Sequence, residues 1–282
     1  MYKTEEGADK IASLLRNKRA MLYFNQPSTR TFLSFQNACY ILGIKCSDIR
    51  DTSTSSEVKG ETELDTVKTF SQYVDLIIMR HPTTDFIKEV SSSLPNNKLV
   101  INAGSGTDQH PTQALLDFYT IYKYGIKNKR IVFVGDLKRS RTVRSLALLL
   151  NKIEGLKFYF VAPNAYQITA DILDELTVEY ELTDDFDKVL PNADVIYMTR
   201  LQDEYGGITE MFNRSQYSIT EKNINKLKKQ SIILHPLPRR DEISIEIDND
   251  SRAKYFEQVV NGMWIRAALI LMMFGMDKTS LK

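Results

Sequence analysis

Seven short apolar runs constrain this chain more than any other feature: RAMLYF (19–24), DLIIMR (75–80), KLVINAG (98–104), RIVFVGD (130–136), KFYFVAP (157–163), DVIYMTR (194–200) and SIILHP (231–236). Each is rich in β-branched or aromatic residues, apolar on both faces, and bounded by Gly, Pro, Asn or Asp. Strands of that kind are covered on both sides, as in a parallel sheet. Helical patterns stand between the runs, the clearest at 28–42, 111–124, 141–152 and 256–274. The expected class is therefore α/β, with parallel β-sheets flanked by helices and built from βαβ units.

At 282 residues the chain is long enough for two domains. A boundary is expected near KYGIKNKR (123–130), a polar stretch after a helix and before a new strand. The last apolar helix has no strand after it, so it is expected to return to the first half. That gives one domain over 1–125, completed by 258–282, and a second over 126–257, each with its own sheet. A net charge of +1 leaves no basic field for nucleic acid. No apolar run reaches membrane-spanning length, and MYKTEEGADK lacks the apolar core of a signal peptide, so a cytoplasmic protein is expected. Cys39 and Cys46 match no zinc, redox or disulfide pattern and read as reduced packing residues.

In open parallel sheets, ligands sit beyond the carboxyl ends of the strands. Polar clusters fall there six times: PSTRT, RHP, GSGTDQHPTQ, GDLKRSRT, TRLQ and HPLPRR. Spread over more than two hundred residues, they are expected to converge on one crevice between the domains. In FNQPSTRTFLSF, Ser28 stands at the N-cap and Thr29, Arg30 and Thr31 form the first turn of a helix. Free N–H groups and the positive dipole end suit an anion there, although alone the stretch also reads as an ordinary cap with an exposed arginine.

All three histidines precede proline: His81, His110 and His235. Pro111 fits the first position of a helix, which places His110 at its N-cap, where the dipole disfavours imidazolium. A neutral ring there can donate a hydrogen bond to a carbonyl; it can equally satisfy a turn. Gln113 lies near the same first turn. Arg80 ends an otherwise apolar strand, and a guanidinium can hold a phosphate and a carbonyl oxygen together. Arg141 and Arg200 also follow strands, a pair suited to two carboxylates, though either alone reads as a surface charge. No dinucleotide glycine pattern, Walker lysine, serine elbow or metal-ligand spacing occurs, so neither cofactor nor metal is expected.

Taken in order, PSTRT, MRHP, HPTQALLD, GDLK with RT, TRLQ and HPLPRRDEI resemble the aspartate carbamoyltransferase family, catalytic chain, from about residue 20 to the C-terminus. Pro236 follows His235 where the ornithine enzymes carry cysteine. The resemblance implies transfer of a carbamoyl group from carbamoyl phosphate to the α-amine of L-aspartate, an early step of pyrimidine synthesis. It makes the first domain the carbamoyl-phosphate-binding one and the second the aspartate-binding one. Ser28, Thr29, Arg30, Thr31 and Arg80 would hold the phosphate. Thr31, Arg80 and His110 would polarise the carbonyl, and Gln113 would bind the carbamoyl NH2. Arg141, Arg200 and Gln202 would hold the aspartate carboxylates, and main-chain oxygens near Leu237 and Pro238 would orient the amine. SSEVKGETELDT (55–66) resembles a loop that enters a neighbour's site, bringing Lys59 and Ser55, with Ser56 a close second. A homotrimer with shared sites is then expected, and a regulatory chain is left open.

The chain departs from the family pattern at Gln26, Phe32 and Tyr205, where relatives carry glutamate, arginine and arginine; the first and last help tie the domains together in relatives. EEGADKIASLLRNK reads as a shortened first helix, whose packing beside the last one is open. Two alternatives are the same fold with another acceptor such as ornithine, and a non-catalytic binding member. The first predicts changes at 141, 200, 202 or 236–238, the second losses at Thr31, Arg80 or His110; neither set is altered.

Overall fold

The computed structural model of the chain describes residues 4–50, 60–106, 110–200 and 214–276. These form two compact units, 1–112 with 262–282 and 113–261.

The first unit opens with α1 (Glu5–Ser13), capped by the Thr4 hydroxyl, which accepts from the Gly7 N–H at 3.1 Å. There follow β1 (Arg19–Phe24), α2 (Thr29–Ile41), β2 (Lys45–Ile49), α3 (Glu63–Tyr73), β3 (Leu76–His81), α4 (Thr84–Ser93) and β4 (Leu99–Ser105). The four strands run parallel in the order β2-β1-β3-β4. Successive strand side chains point to opposite faces, and β1 uses both. Ala20, Leu22 and Phe24 pack with Phe35, Cys39, Ala267 and Ile270, while Met21 and Tyr23 pack with Val67, Phe70 and Val90. Residues just after α1 (Leu14, Leu15) and near the chain's end (Leu269, Phe274) meet in the first of these cores, so the first and last helices share one apolar layer. Gly43 ends α2 at φ +77°, and a Cβ there would lie 1.9 Å from the Ala12 carbonyl oxygen. The glycine is needed both for the left-handed turn and for the close approach of the α1 backbone.

The chain continues through α5 (Pro111–Lys123), β5 (Arg130–Val134), α6 (Arg141–Leu150), β6 (Lys157–Val161), α7 (Ala170–Leu173), β7 (Glu179–Thr183), α8 (Phe186–Val189), β8 (Val195–Met198), β9 (Ile232–Leu234) and α9 (Tyr255–Met273). The second unit's strands are again all parallel, in the order β7-β6-β5-β8-β9. Phe133 lies fully buried at its centre, with ring centroids 5.3 Å from Phe160, 5.6 Å from Phe158 and 6.0 Å from Tyr197. Polar contacts lace α5 to the start of α9: Asn261 donates to Thr120 at 3.0 Å, and Glu257 accepts from Lys123 and from the Tyr124 hydroxyl at 2.5 Å each.

All seven predicted runs are strands. The structure adds β2 and β7, whose sequences KCSDI and EYELT show no continuous apolar run. Both lie at sheet edges with largely exposed or half-buried side chains, so the both-faces-buried pattern cannot reveal them. No described helix is long and apolar enough to cross a membrane.

Candidate active site

Parallel strands send all their carboxyl ends to one edge of the sheet, and in the first unit three of them carry the candidate residues. β1 ends at Phe24 and leads through Asn25, Gln26 and Pro27 to Ser28, the residue at the N-cap of α2. Among the described residues the Ser28 hydroxyl caps no helix N–H, and the first turn holds no acidic side chain. Thr31 is buried, while Thr29 and Arg30 are exposed. The first turn therefore offers donors and positive dipole to an anion, uncontested by carboxylates of its own.

Arg80 is paired in register with Phe24, and its carbonyl accepts from the Asn25 N–H at 2.9 Å. It is the penultimate residue of β3 rather than the first residue beyond it, and it is 7% exposed. Burying a guanidinium is costly without oxygen partners. On β4, Gly104 adopts φ +120°. A Cβ built there would stand 2.6 Å from Arg80 Nη1 and 3.4 Å from His110 Nε2. Both groups thus border the same empty side-chain position, and the missing Cβ is what admits the Arg80 guanidinium. His110 is buried directly before Pro111, the first residue of α5.

The other two histidines are braces. His81 Nδ1 accepts from the Thr83 N–H at 3.1 Å, so its Nε2 donates to Glu63 Oε2 at 3.1 Å. The second Glu63 oxygen accepts from Asn25 Nδ2 at 2.5 Å, which ties the β1 and β3 ends together. His235 repeats the pattern: Nδ1 accepts from the Leu237 N–H and Nε2 donates to Glu242, both at 2.7 Å. Burial pushes the Glu242 carboxyl up, but hydrogen bonds from His235 and the Arg240 N–H outweigh it and hold the group below the usual glutamate range. Phe32 is core: it packs edge-on against Phe24 at 5.4 Å and lies under the Arg50 guanidinium at 4.5 Å.

In the second unit β5, β8 and β9 are neighbours, so the segments after these three strands lie along one edge. After β5, Gly135 at φ +119° leaves room for the Thr199 carbonyl, which a Cβ would meet at 2.2 Å. Asp136 is fully buried and accepts from the Arg139 N–H at 3.1 Å, which shapes the turn before Arg141. Arg141 and Arg200 are half-buried. After β9, Leu237 takes φ +56° before a cis bond to Pro238. Arg239 donates to Asp248 through both terminal nitrogens and to the Tyr255 hydroxyl at 2.9 Å, so this first arginine of the HPLPRR turn is structural. Gln113, on the first turn of α5, donates its amide to Asp117 Oδ1 at 2.9 Å.

Ser28, Thr29, Arg30, Thr31, Arg80 and His110 thus fall along one sheet edge, and Arg141, Arg200, Leu237 and Pro238 along the other. Gln202, Ser55, Lys59 and Tyr205 lie outside the described residues. Sequence reasoning missed Gly104 and Asp117. The first carries no chemistry to search for; the second is signalled only by its i,i+4 spacing from Gln113 on a helix.

Family models match both halves of the chain. The aspartate/ornithine carbamoyltransferase carbamoyl-P binding domain matches residues 1–123, and the Asp/Orn binding domain matches 127–273. The aspartate carbamoyltransferase catalytic subunit of Aliivibrio fischeri is 42% identical over 270 residues, 93% of this chain and 87% of that protein. Its counterpart in Vibrio cholerae is 41% identical over 269 residues, 93% of this chain and 87% of that protein. The catalytic subunit of M. jannaschii aspartate transcarbamoylase superposes with a TM-score of 0.85 at 36% identity, covering 96% of this chain and 92% of that one. The Trypanosoma cruzi enzyme in complex with N-(phosphonacetyl)-L-aspartic acid gives the same TM-score and identity over 92% and 84%. Both halves matched, and relatives at these identities along more than nine-tenths of its length, establish that the chain belongs to the aspartate/ornithine carbamoyltransferase family.

Proposed function

We propose that this chain transfers the carbamoyl group of carbamoyl phosphate to the α-amine of L-aspartate, giving N-carbamoyl-L-aspartate and phosphate in pyrimidine biosynthesis. The observation that carries the reading is the pair Arg80 and His110, both beside the side-chain position that Gly104 leaves empty, at the sheet edge that also bears the α2 first turn. Trypanosoma cruzi relatives hold carbamoyl phosphate and aspartate in their crystals.

In this reading the unit spanning 1–112 with 262–282 binds carbamoyl phosphate, and the unit 113–261 binds aspartate. Ser28, Thr29, Arg30 and Thr31 hold the phosphate through hydroxyls, guanidinium and helix N–H groups. Arg80 contacts both phosphate and carbonyl oxygen. Thr31, Arg80 and His110 donate to that oxygen and stabilise the negative charge that grows on it as the amine attacks. Gln113 accepts from the carbamoyl NH2. Arg141, Arg200 and Gln202 hold the two carboxylates, and the carbonyl oxygens of Leu237 and Pro238 orient the α-amine. The new C–N bond forms as the C–O bond to phosphate breaks, and the departing phosphate takes the amine's proton. Positioning and fixed dipoles supply the catalysis, with no covalent enzyme intermediate.

A cytoplasmic homotrimer, with Ser55 and Lys59 reaching a neighbour's phosphate site, completes the reading. Kinetics of Arg80→Ala and Arg141→Ala test the assigned roles. Arg80→Ala should abolish most turnover and weaken carbamoyl phosphate; Arg141→Ala should chiefly raise the aspartate KM. The reverse pattern would sink the assignment.

A further inference from the structure

Asp117 is wholly buried on α5, one helical turn after Gln113. Three side chains converge on its carboxylate. Gln113 Nε2 donates to Oδ1 at 2.9 Å, Gln258 Nε2 donates to the same oxygen at 2.5 Å, and the Tyr197 hydroxyl donates to Oδ2 at 2.6 Å. A carboxylate only accepts, so each partner has to turn a donor inward. For Gln258 the orientation is fixed from the other side as well, because its Oε1 accepts the His235 N–H at 3.0 Å. For Gln113, half-exposed at the start of the helix, the consequence is directional. Its NH2 is committed to Asp117, and its carbonyl Oε1 is the end left for a ligand.

A carbonyl oxygen there rewards a ligand N–H and offers nothing to a methyl group. Carbamoyl phosphate and acetyl phosphate differ in that one group, NH2 against CH3. We propose that Asp117 is a positioning residue that sets acyl-donor selectivity, by locking the Gln113 amide with its oxygen outward so that the site reads the NH2 of the donor. This inference rests on the carbamoyl-transfer reading above. The same carboxylate reaches further. The Tyr197 that it holds stands three residues before Arg200. Through Gln258 it holds the His235 end of the turn that carries Leu237 and Pro238.

In Asp117→Leu both acceptor oxygens are gone at similar volume. Gln258 is still held by the His235 N–H, so Gln113, at the start of the helix, is the group released to rotate. The test is the ratio of dissociation constants for acetyl and carbamoyl phosphate, measured by calorimetry in the wild type, Gln113→Ala, Asp117→Leu and the double variant. Each single variant should narrow the ratio about tenfold, the worth of one hydrogen bond, and the double variant no further. An unchanged ratio in Asp117→Leu, equal weakening of both donors, or additive losses would overturn the proposal. Binding needs no turnover, so a wild type that fails to transfer counts against the functional reading alone. Should Asp117→Leu not fold, a 15N-glutamine spectrum of the wild type decides. The Gln113 amide, identified by its loss in Gln113→Ala, should exchange slowly; exchange as fast as an exposed glutamine's would contradict the lock.

Discussion

At Gly104 a single methyl group would meet the Arg80 guanidinium at 2.6 Å and sit 3.4 Å from His110, on a backbone at φ +120° that L side chains avoid. Gly104→Ala should therefore displace Arg80, lower turnover at least about tenfold and destabilise the protein by roughly 1 kcal/mol or more. Steady-state kinetics and a urea melt check both, and wild-type kinetics would remove Gly104 from the site. The three His-Pro pairs look alike in sequence, and only their partners in space separate them. His81 and His235 each accept from a backbone N–H and donate to a glutamate, whereas the His110 ring lies beside Gly104. The His110 reading was available because Pro111 marks a helix start. That Glu63 and Glu242 would brace the other two was not, since each contact needs a loop or an element to fold back. Glu242 has a folded pKa below its ordinary value, so its contribution to stability is present above the usual glutamate range and is lost as pH falls through the depressed value. Glu242→Gln should thus cost more stability at pH ~7 than in acid, and the cost should fall away as pH drops through the depressed value, measured as the difference in urea midpoint along a pH series. An equal cost across the series would show that the charge is not involved.

At the scale of elements, the strands legible in the sequence carry apolar runs, the edge strands β4 and β9 among them, and the two that were not legible are the polar edge strands β2 and β7. β1 reads as apolar throughout because alternate residues serve two different cores. KCSDI and EYELT have no such double duty and carry polar side chains to solvent. Two helix starts were legible from a cap and a proline: Ser28 and Pro111 stand at the observed boundaries. The polar lacing of α5 to α9 was not, because Asp117 with Gln258 and Thr120 with Asn261 are each separated by 141 residues. Within the second sheet, Phe133 is the ring on which Phe158, Phe160 and Tyr197 converge. Phe133→Ala leaves a cavity among rigid neighbours and should cost about 3–5 kcal/mol in chemical denaturation. A loss under about 1 kcal/mol would mean that the strands close over the gap.

For the whole molecule, two parallel sheets each present substrate-suited groups along the carboxyl edge, and the family match extends across both. Gln202, Lys59, Ser55 and Tyr205 stay sequence-level assignments. Lys59 bears on assembly. If it serves a neighbour's site, mixing inactive His110→Ala and Lys59→Ala chains should restore part of the activity through hybrid sites. No recovery in trimers shown to exchange subunits would count against sharing. The most direct test of the function is carbamoyl transfer from carbamoyl phosphate by the purified chain, with L-aspartate and L-ornithine compared as acceptors. Turnover with aspartate and none with ornithine is expected; turnover with ornithine, or with neither, would contradict the assignment.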